Sequence, residues 1–385
     1  LRRTTWLAVA LIAPLALLLG AGFLAPVAWS LATAVTDREL RETLPRSASL
    51  LRAWDGVGLP DDETRASFAE EARAALAERR LGALAQRLNF EQGGLRAALL
   101  RLARSPPGTL PEGLDERWAD PATWRLLQRA AAGWTPLYLL RALDLTRGEA
   151  GITTLPPEQA AFRGIFARTL WIALLVTASC LLLGYPLALF IAGLPRPWSA
   201  VALTLVLIPF WSSALTRSVA WFALLQREGP VNDALLALGL LDAPAQIIGT
   251  RIAVLIATVH VLLPFAVLPM HAVLARLDPA LPRSAASLGG SPAQVFARVT
   301  WPLSRPGVAA GGAMVFLLAI GFYITPALLG GPRDQMISWF VGYYLNSEVN
   351  WGMAAALSAY LLLLAGAALA LARLVFGAGP RGALP

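Results

Sequence analysis

The chain has 385 residues, 57% hydrophobic and 15% charged, with a formal net charge of +8. That balance excludes an ordinary soluble domain, in which about a quarter of the residues are charged. Every basic residue is Arg, and the single cysteine, Cys180, lies in an apolar run, so an intrachain disulfide is excluded.

Arg2 and Arg3 precede an apolar stretch over 6–34 that is too long for a cleaved leader and carries no small-residue cleavage pattern, so an uncleaved first span is expected. A membrane helix needs roughly 20 apolar residues. Six stretches meet that length: 6–34, 165–194, 200–225, 252–273, 308–328 and 353–376. The fold class expected is all-α, a polytopic membrane protein with six transmembrane helices.

Residues 35–160 interrupt this pattern. They hold 17 Arg and 18 acidic residues, against 15 Arg and 6 acids elsewhere, so a near-neutral insert sits in a basic membrane protein. Its periodicity is helical. Asp61-Asp62-Glu63 open a run through Arg80 with Phe68, Ala72, Leu76 and Ala77 at helical spacing. A second helix is expected over 94–104, ended by Pro106-Pro107-Gly108, and a third over 120–132, with Asp120 as N-cap and Pro121 in the first position. The insert reads as a small helical, extracytoplasmic domain on the outer face of the membrane, either a cap over the outer loops or a docking surface for a soluble partner. It contains no His, no Cys and no nucleophile motif. The expected division is therefore a first helix over 1–34, the insert over 35–160, and a five-helix core over 161–385.

Orientation follows from arginine placement. With the N-terminus inside, the cytoplasmic pieces hold Arg2, Arg3, Arg196, Arg276, Arg283, Arg298, Arg305, Arg373 and Arg381 against the single acid Asp278. The short outer loops hold Glu228, Asp233, Asp242, Asp334 and Glu348. Both termini are expected in the cytoplasm.

Within the core, Pro186, Pro209, Pro264 and Pro326 are expected to kink their helices. The spans contain no Asp or Glu but carry Tyr185, Trp211, Trp221, Phe265 and Tyr323, and one charge well inside a span, Arg217. These six residues are candidates for a translocation path. The aromatics read equally as packing or interface anchors, and Arg217 as a side chain reaching outward to water. His260 and His271 read as interhelix hydrogen-bonders.

The segment 276–306 is the most structured of the polar loops. Asp278-Pro279 or Pro282 starts a short helix through Leu288, and Gly289-Gly290 stops it. Ser291-Pro292-Ala293-Gln294 restarts a helix with a capping box, and Val295, Phe296 and Val299 form its apolar face until Pro302 ends it. The product is a helix–Gly–helix elbow between two membrane helices.

This elbow resembles the EAA loop of permease subunits of ATP-binding-cassette importers. Arg283-Ser284-Ala285 stands where that family has Glu-Ala-Ala, Gly289 takes the Gly position, and Val299-Thr300-Trp301-Pro302 takes the closing Ile-x-Leu-Pro. From about Phe162 onward, Leu207-Ile208-Pro209-Phe210-Trp211-Ser212-Ser213, Gly229-Pro230-Val231-Asn232, Leu263-Pro264-Phe265 and Gly321-Phe322-Tyr323-Ile324-Thr325-Pro326 resemble the spermidine/putrescine-type branch, and the insert its subset with an enlarged first periplasmic loop.

The resemblance implies a type I importer core in the bacterial inner membrane. It implies a second, related permease subunit (a heterodimer), a cytoplasmic ATPase dimer, a periplasmic solute-binding protein, and a small solute as cargo, polyamines among the candidates. Arg283, Ser284, Ala285, Leu288, Gly289, Phe296, Val299 and Pro302 would form the ATPase-coupling loop. Lipid is an expected partner and nucleic acid is not. No catalytic residue, metal or cofactor is expected, and with no GxxxxGK[ST] loop and no Lys the chain is not expected to bind ATP itself. Two other classes compete. A secondary transporter driven by an ion gradient usually carries intramembrane acids and inverted repeats, and neither is evident. A membrane-anchored sensor needs an inner signalling domain, and the longest cytoplasmic piece is short.

Overall fold

The computed structural model describes residues 2–148 and 151–376; Leu1, Arg381 and the C-terminal segment around it lie outside the described residues. Helices dominate, and five are long and apolar enough to cross a membrane: Leu11–Thr33, Phe162–Gly193, Arg251–Leu274, Pro292–Gly321 and Trp351–Leu374. A bent pair, Arg196–Trp211 with Ala214–Leu224, makes a sixth if it is one span. The chain divides into two units, one formed by Leu1–Ala160 with Val341–Ala359, the other by Ala161–Phe340 with Tyr360–Pro385.

In the first unit the span Leu11–Thr33 carries a π-helical turn over Gly20–Leu24 and presents Leu11, Leu17, Leu18, Phe23 and Trp29 outward. The insert that follows builds its own core. Phe68, Trp118 and Trp124 are fully buried, with ring centroids 5.5–5.8 Å apart, among Leu40, Leu51, Leu84, Leu88 and Leu99. Trp124 Nε1 donates to the Trp118 carbonyl at 2.8 Å, so the indole polar group is satisfied inside the core. Local signals set the helix starts. Asp61 accepts from the Thr64 backbone N–H at 3.0 Å and heads the helix Asp62–Ala77; the Thr64 side chain, and then its N–H, hold the Asp61 carboxyl below the ordinary value. Asp120 Oδ1 accepts from the Ala122 N–H at 2.8 Å ahead of Pro121–Ala131.

One element departs from the helical reading of the insert. Leu145–Gly148 and Gly151–Thr154 pair as an antiparallel hairpin, Leu145 opposite Thr154. The β-branched residues Thr146, Ile152, Thr153 and Thr154 favour this extended form.

A buried ion pair closes the insert over the end of the first span. Arg87 Nε donates to Asp37 Oδ2 at 2.6 Å, Arg87 Nη2 lies 3.0 Å from Glu91 Oε2, and both Asp37 and Arg87 side chains are at most 5% exposed. Burial opposes the Arg87 charge, but Asp37, Tyr138 and Glu91 outweigh it and hold the guanidinium above its usual value. An Arg87→Met variant is expected to lose about 3–5 kcal/mol by stranding the buried carboxylate. Limited proteolysis of the full chain should then cut the insert faster, and adding Asp37→Asn should recover most of the loss.

In the second unit, Phe162–Gly193, Arg251–Leu274 and Trp301–Gly321 pack against one another around Ile172, Val176, Val267, Met270, Val315 and Phe316. Glycines allow the approach. A Cβ at Gly184 would lie 3.1 Å from Met270 Cε, and one at Gly311 would lie 2.8 Å from the Ala266 carbonyl oxygen. The helices run unbroken through Pro186 and Pro264.

Two expected spans are interrupted. The stretch read as one span over 200–225 turns by 93°. Pro209 lacks an N–H, so the helix tightens into a 3-10 turn over Ile208–Trp211, Ser212 extends, and Ser213 restarts a helix by accepting from the Thr216 N–H at 3.0 Å. The stretch over 308–328 instead ends at Gly321, and Phe322 and Tyr323 separate it from Ile324–Leu329. Pro326 cannot donate to the Phe322 carbonyl and would crowd it, so a continuous helix fails there.

Candidate functional site

The elbow is built from local capping. Asp278 Oδ1 accepts from the Ala280 N–H at 2.8 Å and starts the helix Ala280–Ser287. Gly289 takes φ +87°, the left-handed stop. Its N–H donates to the Ala286 carbonyl at 3.0 Å and the Gly290 N–H to the Ala285 carbonyl at 3.1 Å, the paired bonds of a Schellman closure. The capping box then forms in both directions: the Gln294 N–H donates to Ser291 Oγ at 3.3 Å, and the Ser291 N–H donates to Gln294 Oε1 at 2.9 Å.

Pro302 does not end this second helix, contrary to the sequence reading. The backbone widens to a π turn over Phe296–Thr300, with the Trp301 N–H bonded to the Phe296 carbonyl, and Trp301–Gly321 continues directly. The wider turn accommodates the missing N–H of Pro302 without a break. The second arm of the elbow is therefore the near end of a 30-residue rod, Pro292–Gly321.

The elbow residues fall into two sets. Arg283, Ser284, Leu288, Gly289 and Phe296 are exposed, Leu288 by 88%, while Ala285, Val299 and Pro302 are half-buried. A cavity of about 230 Å³ lies behind the loop, against Leu189, Gly193, Leu274, Leu281 and Leu303.

Tyr185 joins this assembly. It is buried, its hydroxyl and Ser304 Oγ are 2.8 Å apart, and its ring meets Trp301 at 5.3 Å and Phe296 at 6.1 Å. Ser304 itself donates to the Trp301 carbonyl at 3.0 Å. Sequence reading passed over Ser304; its signal is a hydroxyl between Trp301-Pro302 and Arg305-Pro306, in an otherwise apolar approach to a span.

The remaining path candidates gather at the bent span. Trp211 is 79% exposed at the bend, and its neighbour Phe210 packs on Phe265 with centroids 4.7 Å apart. Trp221 Nε1 donates to His260 Nδ1 at 3.1 Å. Arg217, one turn earlier, keeps Nε and Nη1 buried without a hydrogen-bond partner. Tyr323 is exposed at the second break. The two breaks are tied together by Ser218 and Thr325, whose buried hydroxyls lie 2.8 Å apart. His271 and Ser199 lie 3.4 Å apart. Asn232 of the Gly-Pro-Val-Asn run is fully buried and makes bonds of 2.9–3.0 Å to the Gln226 carbonyl and to the Ala245 carbonyl and N–H. Among the described residues no cluster of His, Cys, Asp and Glu has the make-up of a metal site.

No family model matches the chain. Curated relatives do. The spermidine/putrescine transport system permease protein PotB of Salmonella typhimurium (strain SL1344) is 37% identical over 202 residues, 52% of this chain and 70% of PotB. PotB of Escherichia coli (strain K12) is 36% identical over 202 residues, 52% of this chain and 74% of that protein. The inner membrane ABC transporter permease protein YdcU of Escherichia coli (strain K12) is 33% identical over 211 residues, 50% of this chain and 65% of YdcU. Among solved structures, a bacterial ABC transporter involved in import of the acidic polysaccharide alginate aligns with a TM-score of 0.47 and 19% identity, over 56% of this chain and 79% of that one. The proteins it matches in sequence are named as transport permeases rather than enzymes. The chain belongs to the PotB family of ATP-binding-cassette permeases, and it is a membrane-spanning permease subunit of such a transport system.

Proposed function

We propose that this permease passes a polyamine, or a related small organic cation, inward across the bacterial inner membrane. In this reading a dimer of cytoplasmic ATPases grips the elbow, a second, related permease completes the pathway, and a periplasmic solute-binding protein delivers the cargo to the side bearing the insert, residues 35–160. The observation that carries it is the continuity of the elbow with the rod Pro292–Gly321. A displacement at Gly289 moves a capped, hydrogen-bonded turn, and the helix that follows it runs uninterrupted from Pro292 to Gly321. The arginines around the elbow support a cytoplasmic position, and relatives named for spermidine and putrescine support the cargo.

The chain contributes no nucleotide site of its own: it has no Walker-type loop and no Lys. Selectivity in this scheme sits mostly with the binding protein, because a conduit must release what it passes. An ion-gradient mechanism is the weaker reading, since the described spans carry no Asp or Glu to take up a coupling proton or sodium ion.

The test is spermidine uptake into proteoliposomes holding the permease pair and the ATPase, with binding protein outside. Uptake should require ATP inside and survive an uncoupler. Uptake that persists without ATP and stops with the uncoupler would overturn the reading.

A further inference from the structure

The first unit bears a half-open cavity of about 870 Å³, within the range of small-ligand sites. Its walls come from the end of the first span, the start of the insert, the helix Leu81–Glu91, Tyr138, and the turn 347–352 that begins the last helix. Asp37 and Arg87 both line it, and each is satisfied on one side only. They are 2% and 6% exposed, yet Asp37 Oδ1 and Arg87 Nη1 have no hydrogen-bond partner. Leaving a buried polar atom unpaired costs about 1–3 kcal/mol. Two such atoms on the wall of one chamber indicate a polar occupant.

The chemistry of the wall selects its charge. Glu39 and Glu42 line the cavity without an ion-pair partner among the described residues. Burial, with Asp37 and Glu42 nearby, raises the proton affinity of Glu39 against the opposing pull of Arg87. The basic lining residues are mostly committed: Arg87 to Asp37 and Glu91, Arg96 to Gln86 Oε1 at 3.0 Å, with Arg38 exposed. Trp29 and Trp351 line the same chamber and remain 64% and 53% exposed, so two indole faces are open to a cation.

We propose that this chamber is a cargo-receiving site for a linear di- or polyamine, held by Asp37, Glu39 and Glu42 against Trp29 and Trp351. It rests on the organic-cation reading above and supplies the carboxylates that the spans lack. Cargo would be held on the permease, at the insert, before entering the membrane pathway. Residues far apart in sequence build it: Gly352 admits the Tyr138 ring where a Cβ would lie 2.2 Å from Cε2.

Equilibrium binding of radiolabelled spermidine to the full chain in nanodiscs tests this directly. The wild type should bind saturably. Glu39→Gln with Glu42→Gln should weaken binding at least ~10-fold, about 1.4 kcal/mol, and Glu42→Gln alone, an exposed and structurally mild change, should weaken it less. Glu116→Gln, an exposed acid outside the cavity, should leave binding unchanged. No saturable binding at millimolar spermidine, or equal binding by wild type and the double variant, would overturn the proposal. If reconstituted wild-type transporter takes up spermidine with ATP while the double variant binds normally, the chamber is wrong and the permease reading stands. If the chain binds spermidine at these acids but the transporter never moves it, the reverse holds.

Discussion

A Gly289→Trp variant should insert and fold normally yet lose ATP-driven uptake at least ~100-fold, the effect of about 2.7 kcal/mol of missing coupling. Two separate effects contribute. Gly289 holds φ +87°, where a residue with a Cβ costs about 1–2 kcal/mol. That strain would loosen the Schellman closure through Ala285 and Ala286. A Cβ at Gly289 meets nothing within 4 Å, so the indole would clash with no part of this chain. It would stand on the exposed surface that we assign to the ATPase. Gly289→Asn separates the two effects, because Asn tolerates the left-handed conformation and is small. It should keep most of the uptake. Full activity of the Trp variant would remove the elbow from the mechanism.

The second large effect is expected inside the membrane core. Gly311→Leu should unfold or misassemble the second unit, with a loss of about 1–3 kcal/mol or more from overpacking. The obstacle is backbone: the new Cβ would lie 2.8 Å from the Ala266 carbonyl oxygen and 3.3 Å from Ala266 Cα. A side chain can swing aside, but here two packed helices would have to part, and lipid gives them little hydrophobic force to stay together. Gly366→Leu is the control, since a Cβ there meets nothing within 4 Å. Thermal unfolding in micelles should show a lowered midpoint for Gly311→Leu and little change for Gly366→Leu.

The helix caps were legible in the sequence because their chemistry is local. Asp61, Asp120, Ser291 with Gln294, and Gly289 each act within five residues of their own position. Apolar runs of sufficient length identified the spans for the same reason. Proline was ambiguous. Pro302 and Pro209 both read as helix disturbances, but a π turn absorbs one and the chain bends by 93° near the other. What decides is the surrounding packing, which no short window contains. Tyr185 read as an aromatic of the path; its hydrogen bond to Ser304, across 119 residues, places it at the base of the elbow. The chamber was invisible for a stronger reason: Trp29 and Trp351 lie at opposite ends of the chain and come to line one cavity only after folding.

The most direct measurement is the accessibility of a thiol at the elbow tip. Leu288 is 88% exposed and the native Cys180 is buried, so Leu288→Cys supplies a reactive site over a low background. A membrane-impermeant maleimide should label it in inside-out vesicles stripped of ATPase, and adding the ATPase back should protect it. Labelling from the periplasmic face of intact right-side-out vesicles, or undiminished labelling with the ATPase bound, would contradict the account.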